Sequence, residues 1–169
     1  METELKIQEL LAELGEDTSG VRFTEGGGVG YGLLRTPELY AGYDFNLPRG
    51  QDLGNDGGLR SGETLEYTFP DSFRREVIYL EGLWSSNADD LELVGDSGKI
   101  FLKFKGSEVN IVADSVDVQN MKVSIDDKSM RNIKIDSPDL YNVYEGDYKI
   151  GELELEVSKG FNFNAFTFG

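Results

Sequence analysis

The sequence predicts an all-β fold: an antiparallel, jelly-roll-like β-sandwich with one short N-terminal α-helix. The first observation behind this prediction is a period of two, since short runs from Thr64 onward alternate apolar and polar residues. The second is the spacing of turn formers, because most breaks between runs carry Gly, Asp, Asn or Ser, and the chain holds 21 Gly against 4 Pro. One-sided strands joined by tight turns favour two antiparallel layers packed face to face.

The chain opens with an amphipathic helix, which we assign to residues 1–15 and separate from a β-sandwich domain over residues 16–169. Its apolar side chains recur at helical spacing, at Ile7, Leu10, Leu11 and Leu14. Gly15 suits the turn that ends a helix. The apolar stripe needs a partner surface, so we expect it to pack on the sandwich, on another domain or on another copy of the chain.

Residues 16–62 are rich in Gly, Asp and Asn and only weakly patterned. A loop of that length without structure is unusual inside a compact domain. We therefore expect short strands within it, at residues 21–23 and 31–34. The glycine-rich run at residues 25–32 lacks the Gly-Lys-Ser/Thr of a phosphate-binding loop, so we interpret it as a loop or sharp turn.

The remaining strands are predicted one after another toward the C-terminus, over residues 64–69, 77–84, 91–94, 100–104, 109–113, 121–125, 133–135, 141–144, 153–157 and 161–168. The alternation is plain in the fourth of these, where Ile100, Leu102 and Phe104 share one face. The last two form a hairpin around residues 158–160. Because the step from Phe163 to Phe166 breaks the alternation, we expect a β-bulge near Asn164 and Ala165.

The composition excludes several kinds of chemistry. Cys is absent and so is His, so the chain has no thiol nucleophile, no disulfide, no thiolate metal site and no Ser–His or Cys–His pair. The formal net charge is −16, from 32 acidic and 16 basic residues, which disfavours binding to nucleic acid or to anionic lipid. No apolar run approaches the roughly 20 residues that span a bilayer, so no transmembrane segment is expected.

Acidic residues suggest two further uses. The segment Asp52-Leu53-Gly54-Asn55-Asp56-Gly57-Gly58 superficially resembles a calcium loop but lacks the regular ligand spacing and terminal Glu of an EF-hand. We expect no cofactor, with calcium at this segment as the alternative. Acidic pairs such as residues 89–90 and 126–127 are interpreted as solvated turn residues, the alternative being a carboxylate-based glycosidase.

Aromatic side chains are the stronger candidates for a binding site, because an exposed ring can stack on the apolar face of a sugar. Trp84 ends a predicted strand and leads into a polar segment that includes Asn87, while Tyr40 and Tyr43 lie in a loop-rich region. We take these four residues as candidate carbohydrate-binding residues. The alternative for Trp84 is a core anchor between the layers, and for the two tyrosines it is packing of the long segment onto the sandwich.

Several stretches together carry a family resemblance. They are residues 36–42 (Thr-Pro-Glu-Leu-Tyr-Ala-Gly), 80–84 (Leu-Glu-Gly-Leu-Trp), the strand pair 100–104 and 109–112, residues 139–141 (Asp-Leu-Tyr), and the closing residues 164–169 (Asn-Ala-Phe-Thr-Phe-Gly). In this order the chain resembles the C-terminal region of thioredoxin-like proteins of the DipZ type. Those are extracytoplasmic thiol–disulfide proteins in which a thioredoxin fold precedes a sandwich similar to carbohydrate-binding modules.

The resemblance implies a non-catalytic accessory domain of a thioredoxin-like protein, located outside the cytoplasm as a periplasmic or cell-surface domain. The family's redox Cys-x-x-Cys belongs to the upstream domain, and this chain has no counterpart, so no catalytic residue is carried over. A carbohydrate or cell-envelope polymer is then the expected ligand. The alternative is a protein-interaction or structural module that positions a thioredoxin-fold domain or recruits its substrates.

Overall fold

A computed structural model describes residues 35–169. It confirms the predicted all-β class, with the strands β1 (Leu39–Tyr40), β2 (Thr64–Tyr67), β3 (Ile78–Ser86), β4 (Leu91–Leu93), β5 (Ser97–Ser115), β6 (Gln119–Ile125), β7 (Lys128–Ile135), β8 (Asp139–Ser158) and β9 (Phe161–Phe168). One helical turn, α1 (Tyr43–Asn46), continues into a 3₁₀ turn at Leu47–Arg49. The helix predicted at residues 1–15 and the strands predicted at 21–23 and 31–34 lie outside the described residues, as does the domain boundary at residue 15.

The strands form one antiparallel sheet in the order β1-β9-β4-β3-β5-β8-β6-β7, with β2 added to β3. Strand β8 covers one edge of β5 along most of its length, whereas the other edge of β5 pairs first with β3 and then with β9. Strand β4 in turn pairs with both β3 and β9. The pairings β5–β3–β4–β9–β5 therefore close a circuit, so the two halves of the sheet face each other and supply the two predicted layers.

Two pairs of predicted strands merge in the structure. Residues 100–104 and 109–113 belong to the 19-residue strand β5, and residues 141–144 and 153–157 to the 20-residue strand β8. The break in pattern at Gly106 and Ser107 is a register shift within β5 rather than a turn, because a bulge inserts a residue without ending the strand. The bulge predicted in β9 is confirmed, since Val112 pairs with Ala165 and Ala113 with Phe163, which leaves Asn164 unpaired.

The core lies inside this circuit. Alternate residues of the long strands point into it, and the predicted inward set Ile100, Leu102 and Phe104 is fully buried. On the opposite face of β5, Phe101 packs against Phe73 with ring centroids 3.9 Å apart, so a smaller aromatic cluster covers the outside of the sheet. No helix among the described residues is long and apolar enough to cross a membrane.

Candidate ligand-binding cleft

A short clasp of hydrogen bonds holds Tyr40 at one edge of the sheet. The backbone N–H of Tyr40 donates to Gln51 Oε1 at 2.9 Å, and Gln51 Nε2 donates to the carbonyl of Glu38 at 2.7 Å. Asn46 Nδ2 donates to the carbonyl of Tyr40 at 2.6 Å. Strand β1 pairs with β9 on its other side. Tyr40 is thus fixed between the sheet and the helical turn that follows it.

The Tyr40 ring forms an exposed aromatic pair with Phe45. Their centroids lie 6.0 Å apart with 25° between the ring planes, and Phe45 is 40% exposed. The guanidinium of Arg49 lies 4.3 Å from the Tyr40 centroid and 5.6 Å from that of Phe45, within the range of cation–π attraction. The Tyr40 hydroxyl donates to Glu38 Oε2 at 2.6 Å, and this hydrogen bond, with smaller effects of burial and charge, raises the pKa of Tyr40.

Arg49 also lines a cleft of about 500 Å³, a volume within the range of small-molecule sites. Its polar lining comes from residues 46–52 and from the segment before β3, and consists of Asn46, Arg49, Gln51, Asp52, Arg74, Arg75 and Glu76. We call it the Arg cleft, defined by these seven residues. Three of its lining residues are arginines.

None of the three arginines forms an ion pair among the described residues. Within residues 35–169, no Asp or Glu lies within ion-pair distance of Arg49, Arg74 or Arg75. Glu76, which also lines the cleft, is paired with Lys105 at 3.1 Å. In a chain of formal charge −16, this cleft gathers positive charge that its own carboxylates do not neutralise.

Backbone geometry orients the two neighbouring arginines. The N–H of Arg74 donates to the Tyr79 hydroxyl at 2.7 Å, and the N–H of Glu76 donates to the carbonyl of Lys103 at 2.8 Å. Glu76 has a φ of 61°, a left-handed conformation that costs a residue with a side chain roughly 1–2 kcal/mol. Such strain persists only where surrounding contacts fix it, so the direction of the Arg74–Arg75 segment is set before any ligand arrives.

Asn46 leaves an acceptor unused at the same cleft. Its side chain is 1% exposed, and its Oδ1 receives no hydrogen bond from any described residue. A buried polar atom without a partner costs about 1–3 kcal/mol. A donor from a bound molecule would remove that cost.

The predicted ligand residues fall into different environments. Tyr40 reaches the surface beside the Arg cleft, as described above. Tyr43 is half-buried against the core, and its N–H donates to the carbonyl of Asn87 at 3.1 Å. The side chain of Asn87 donates to Asp90 Oδ1 at 2.7 Å and so stabilises the turn between β3 and β4. A backbone hydrogen bond therefore joins Tyr43 and Asn87, while Tyr40 contacts Arg49, which lines the cleft.

Trp84 offers no surface to a ligand. It is 0% exposed, its ring packs edge to face on Phe163 with centroids 5.9 Å apart, and its Nε1 donates to the carbonyl of Glu81 at 3.0 Å. The prediction that Trp84 exposes a stacking face is therefore wrong, because the closed circuit of strands puts this residue in the core. The core-anchor alternative describes the residue.

In the segment proposed for calcium, side-chain oxygens accept hydrogen bonds from backbone N–H groups. Asp52 Oδ1 accepts from the N–H of Leu59 at 2.6 Å, and Asn55 Oδ1 accepts from the N–H of Leu80 at 2.8 Å. In the part of the chain that the structure describes, no three acidic side chains gather as metal ligands would. These hydrogen bonds give the Asp and Asn a structural role in shaping the loop.

Sequence reasoning missed Phe45 and the three arginines of the cleft. One signal was available: adjacent Arg74 and Arg75 are unusual in a chain with 32 acidic residues. No period connects this pair with Arg49, because the clasp and the approach to β3 bring distant segments together. Only the fold reveals that they share one cleft.

Comparison with known families adds one match. A family model described as "Thioredoxin like C-terminal domain" matches residues 36–169. The match begins at the segment that leads into β1 and runs to the end of β9, so it covers the whole of the sheet. No curated protein matches the chain.

Proposed function

The chain belongs to the family of thioredoxin-like C-terminal domains, and from that premise we propose that it is a non-catalytic accessory domain that binds carbohydrate or cell-envelope polymer through the Arg cleft. The sequence contains no Cys, so thiol–disulfide exchange has to come from a thioredoxin-fold domain that this one accompanies. The accessory domain would then hold that redox centre near a polymer or near substrates attached to it. We also propose an extracytoplasmic location, on the resemblance described above.

One observation carries the carbohydrate proposal: Arg49, which lines a polar cleft of about 500 Å³, also lies against the rings of Tyr40 and Phe45. Sugar sites combine an aromatic surface for the apolar face of the ring with hydrogen-bonding groups for the hydroxyls. Asn46, Gln51 and Arg49 supply such groups here. Phe45 is the more accessible ring, because Arg49 covers part of Tyr40.

A second groove, on the sheet, differs from the Arg cleft in the pairing of its charged side chains, and this difference favours the Arg cleft as the binding site. It has about 570 Å³ and is also polar, with Lys99 and Lys122 in its lining. There, however, Lys99 is paired with Glu154 at 3.3 Å and Lys122 with Glu156 at 2.6 Å. The two lysines of that groove are thus paired within the protein, whereas the three arginines of the Arg cleft have no ion pair among residues 35–169.

The test is an amide-shift NMR titration of the full chain with envelope-type oligosaccharides. We expect shifts to centre on Tyr40, Phe45 and Asn46, and we expect Phe45→Ala to weaken binding about tenfold, since a stacked ring contributes on the order of 1 kcal/mol or more. Leu140→Ala is the matched control, because Leu140 is also exposed, at 52%, but lies on β8. Silence toward every oligosaccharide would overturn the carbohydrate role.

A docking surface for a thioredoxin-fold domain is the second candidate. Phe45 and Leu47 are neighbouring apolar side chains that are 40% and 39% exposed, and exposed apolar patches often mark contact sites between domains. In the same titration, a reduced thioredoxin-fold domain added without sugar would then shift the amides of Phe45 and Leu47. Phe45→Ala with Leu47→Ala should abolish that shift, and its persistence would contradict docking at this patch.

A further inference from the structure

We propose that the Arg cleft selects carbohydrate that carries a carboxylate, which deepens the proposed function and rests on it. The ligand class is an acidic sugar, either a uronic acid or a sugar substituted with a carboxylate-bearing group. Two independent features of the cleft, its charge and its unused acceptor, argue for this class. Neither a neutral sugar nor a simple anion satisfies both.

None of the three arginines of the cleft has a carboxylate within ion-pair distance among residues 35–169. A guanidinium presents a planar fork of N–H donors that matches the two oxygens of a carboxylate. Arg74 and Arg75 are adjacent on a backbone segment fixed at both ends by hydrogen bonds, from Arg74 to Tyr79 and from Glu76 to Lys103. A carboxylate at this position would supply the ion-pair partner that these two guanidiniums lack among the described residues.

Asn46 provides the second feature of the cleft, an unused hydrogen-bond acceptor. Its Oδ1 has no donor among the described residues although the side chain is 1% exposed, and its Nδ2 is already committed to the carbonyl of Tyr40. A bound molecule that meets this oxygen must bring a hydroxyl or an N–H. A free carboxylate such as acetate has none at neutral pH, whereas every sugar acid has both a charge and hydroxyl donors.

The acidic residues around the cleft limit how much negative charge can enter. Glu38 holds the Tyr40 hydroxyl on one side, and Asp52 and Glu76 line the cleft itself. A polyanion would place several charges against these carboxylates, and like charges in proximity repel. The cleft therefore fits one carboxylate per site better than a phosphate polymer.

The experiment compares each acidic sugar with a neutral relative, by calorimetry and NMR on the full chain. One pair is galacturonic acid and its methyl ester, and the other is N-acetylmuramic acid and N-acetylglucosamine, which lacks the carboxylate-bearing lactyl group. We expect the acid of each pair to bind about tenfold or more tightly, since hydrogen bonds to charged groups are the strong ones. If both acids bind more tightly than their neutral partners, the carboxylate is the feature that the cleft recognises. If only one acid does, that pair identifies which kind of acidic sugar carries the recognised carboxylate.

Variants test which residues select the charge. Arg74→Gln with Arg75→Gln should reduce the acid-to-neutral affinity ratio to about one, while weak binding of the neutral sugar remains. Lys128→Gln with Arg131→Gln is the charge-matched control, because both residues are exposed on β7 at the far end of the strand order. In wild type, the Asn46 side-chain carbonyl carbon should shift with the acidic sugar but not with acetate.

Each outcome decides a separate point. Equal affinity for the acid and the neutral sugar would overturn charge selection while leaving the carbohydrate function intact. Equal responses to acetate and to the acidic sugar would show a simple anion site and overturn the inference. Binding of neither sugar would overturn both proposals, and binding of a single-stranded DNA oligonucleotide in its place would identify a phosphate site.

Discussion

Trp84 and Phe163 meet edge to face, with 87° between their ring planes, in the middle of the core. Trp84 belongs to β3 and Phe163 to β9, and β4 lies between these strands by pairing with both. Leu93 is the partner of Trp84 in one pairing and Leu91 the partner of Phe163 in the other. The two rings thus pack across the strand that links the layers, which makes this contact central to the fold.

Trp84→Ala should destabilise the fold rather than remove a ligand contact. We expect the free energy of unfolding to fall by about 3–5 kcal/mol, because a large buried ring leaves a cavity that the core fills only partly. Urea unfolding followed by far-UV circular dichroism measures this change. Leu140→Ala, at an exposed position, should change the free energy by less than about 0.5 kcal/mol, and a Trp84→Ala variant of wild-type stability would contradict the core assignment.

Gly42→Ala should displace the helical turn that borders the Arg cleft. Gly42 precedes α1 with a φ of −65°, so alanine meets no backbone strain, but its Cβ would lie 2.2 Å from the carbonyl carbon of Asp89. We expect a loss of about 1–3 kcal/mol together with amide shifts at Tyr40 and Phe45. Two-dimensional NMR and urea unfolding measure both effects.

The control for that steric effect is Gly50→Ala. Gly50 has a φ of 70°, and an added Cβ meets nothing within 4 Å. Only the left-handed backbone should oppose alanine there, at about 1 kcal/mol. A Gly42→Ala protein with unshifted amides at Tyr40 would mean that the turn accommodates the extra carbon without moving.

Glu38→Gln should lower the pKa of Tyr40. The hydrogen bond to the Glu38 carboxylate stabilises the protonated phenol and is the largest cause of its raised pKa. Removing the carboxylate charge should return the pKa toward its ordinary value of 10.0. Titration of the tyrosine Cζ carbons by NMR in wild type and variant measures the shift, and an unchanged Tyr40 curve would contradict the hydrogen bond.

Asp126 should make stability depend on acid pH. Lys149 donates to its Oδ2 at 2.6 Å and the N–H of Glu152 donates to its Oδ1 at 2.9 Å, and these hydrogen bonds hold the pKa of Asp126 below its ordinary 3.8. Since the folded pKa is the lower one, the contribution is complete above the unfolded pKa and is lost as the pH falls through the folded value. The side chain is 49% exposed, so we expect only about 0.5 kcal/mol.

Asp126→Asn should therefore flatten the fall in unfolding free energy between pH 5 and pH 2.5, as urea titrations at several pH values would measure. Asparagine tolerates the left-handed backbone of this position, where φ is 51°. Asp127→Asn is the control in the same turn, with a φ of 60°. Equal flattening in both variants would attribute the effect to general charge rather than to the Lys149 contact.

The strand pattern was predictable from the sequence because burial on one face imposes a period of two on β5, β8 and β9. Even the bulge at Asn164 is visible in the spacing of Phe163 and Phe166. The joining of β5 into one strand was not predictable, since Gly106 looks like a turn former in sequence and acts as part of a register shift in the sheet. A local pattern cannot distinguish a bulge from a turn without the partner strand.

The candidate site was predictable only in part. Tyr40 was identified because it is an aromatic residue in a polar segment, and the cleft beside it depends on residues from two separate segments, Arg49 and Arg74 with Arg75. Trp84 was misassigned for a related reason. Exposure depends on which strands close around a residue, and that closure involves pairings between β4 and β9 that lie far apart in sequence.

The circuit of strands also determines the order in which the domain can be completed on the ribosome. Strand β9 pairs with both β4 and β5, and it follows both of them in the chain. Until β9 emerges from the ribosome, β4 and β5 each have an edge with unpaired backbone N–H and C=O groups. These edges can pair with another nascent chain. Long-range pairing of this kind slows folding, so newly made copies depend on the timely arrival of one phenylalanine-rich strand to avoid association.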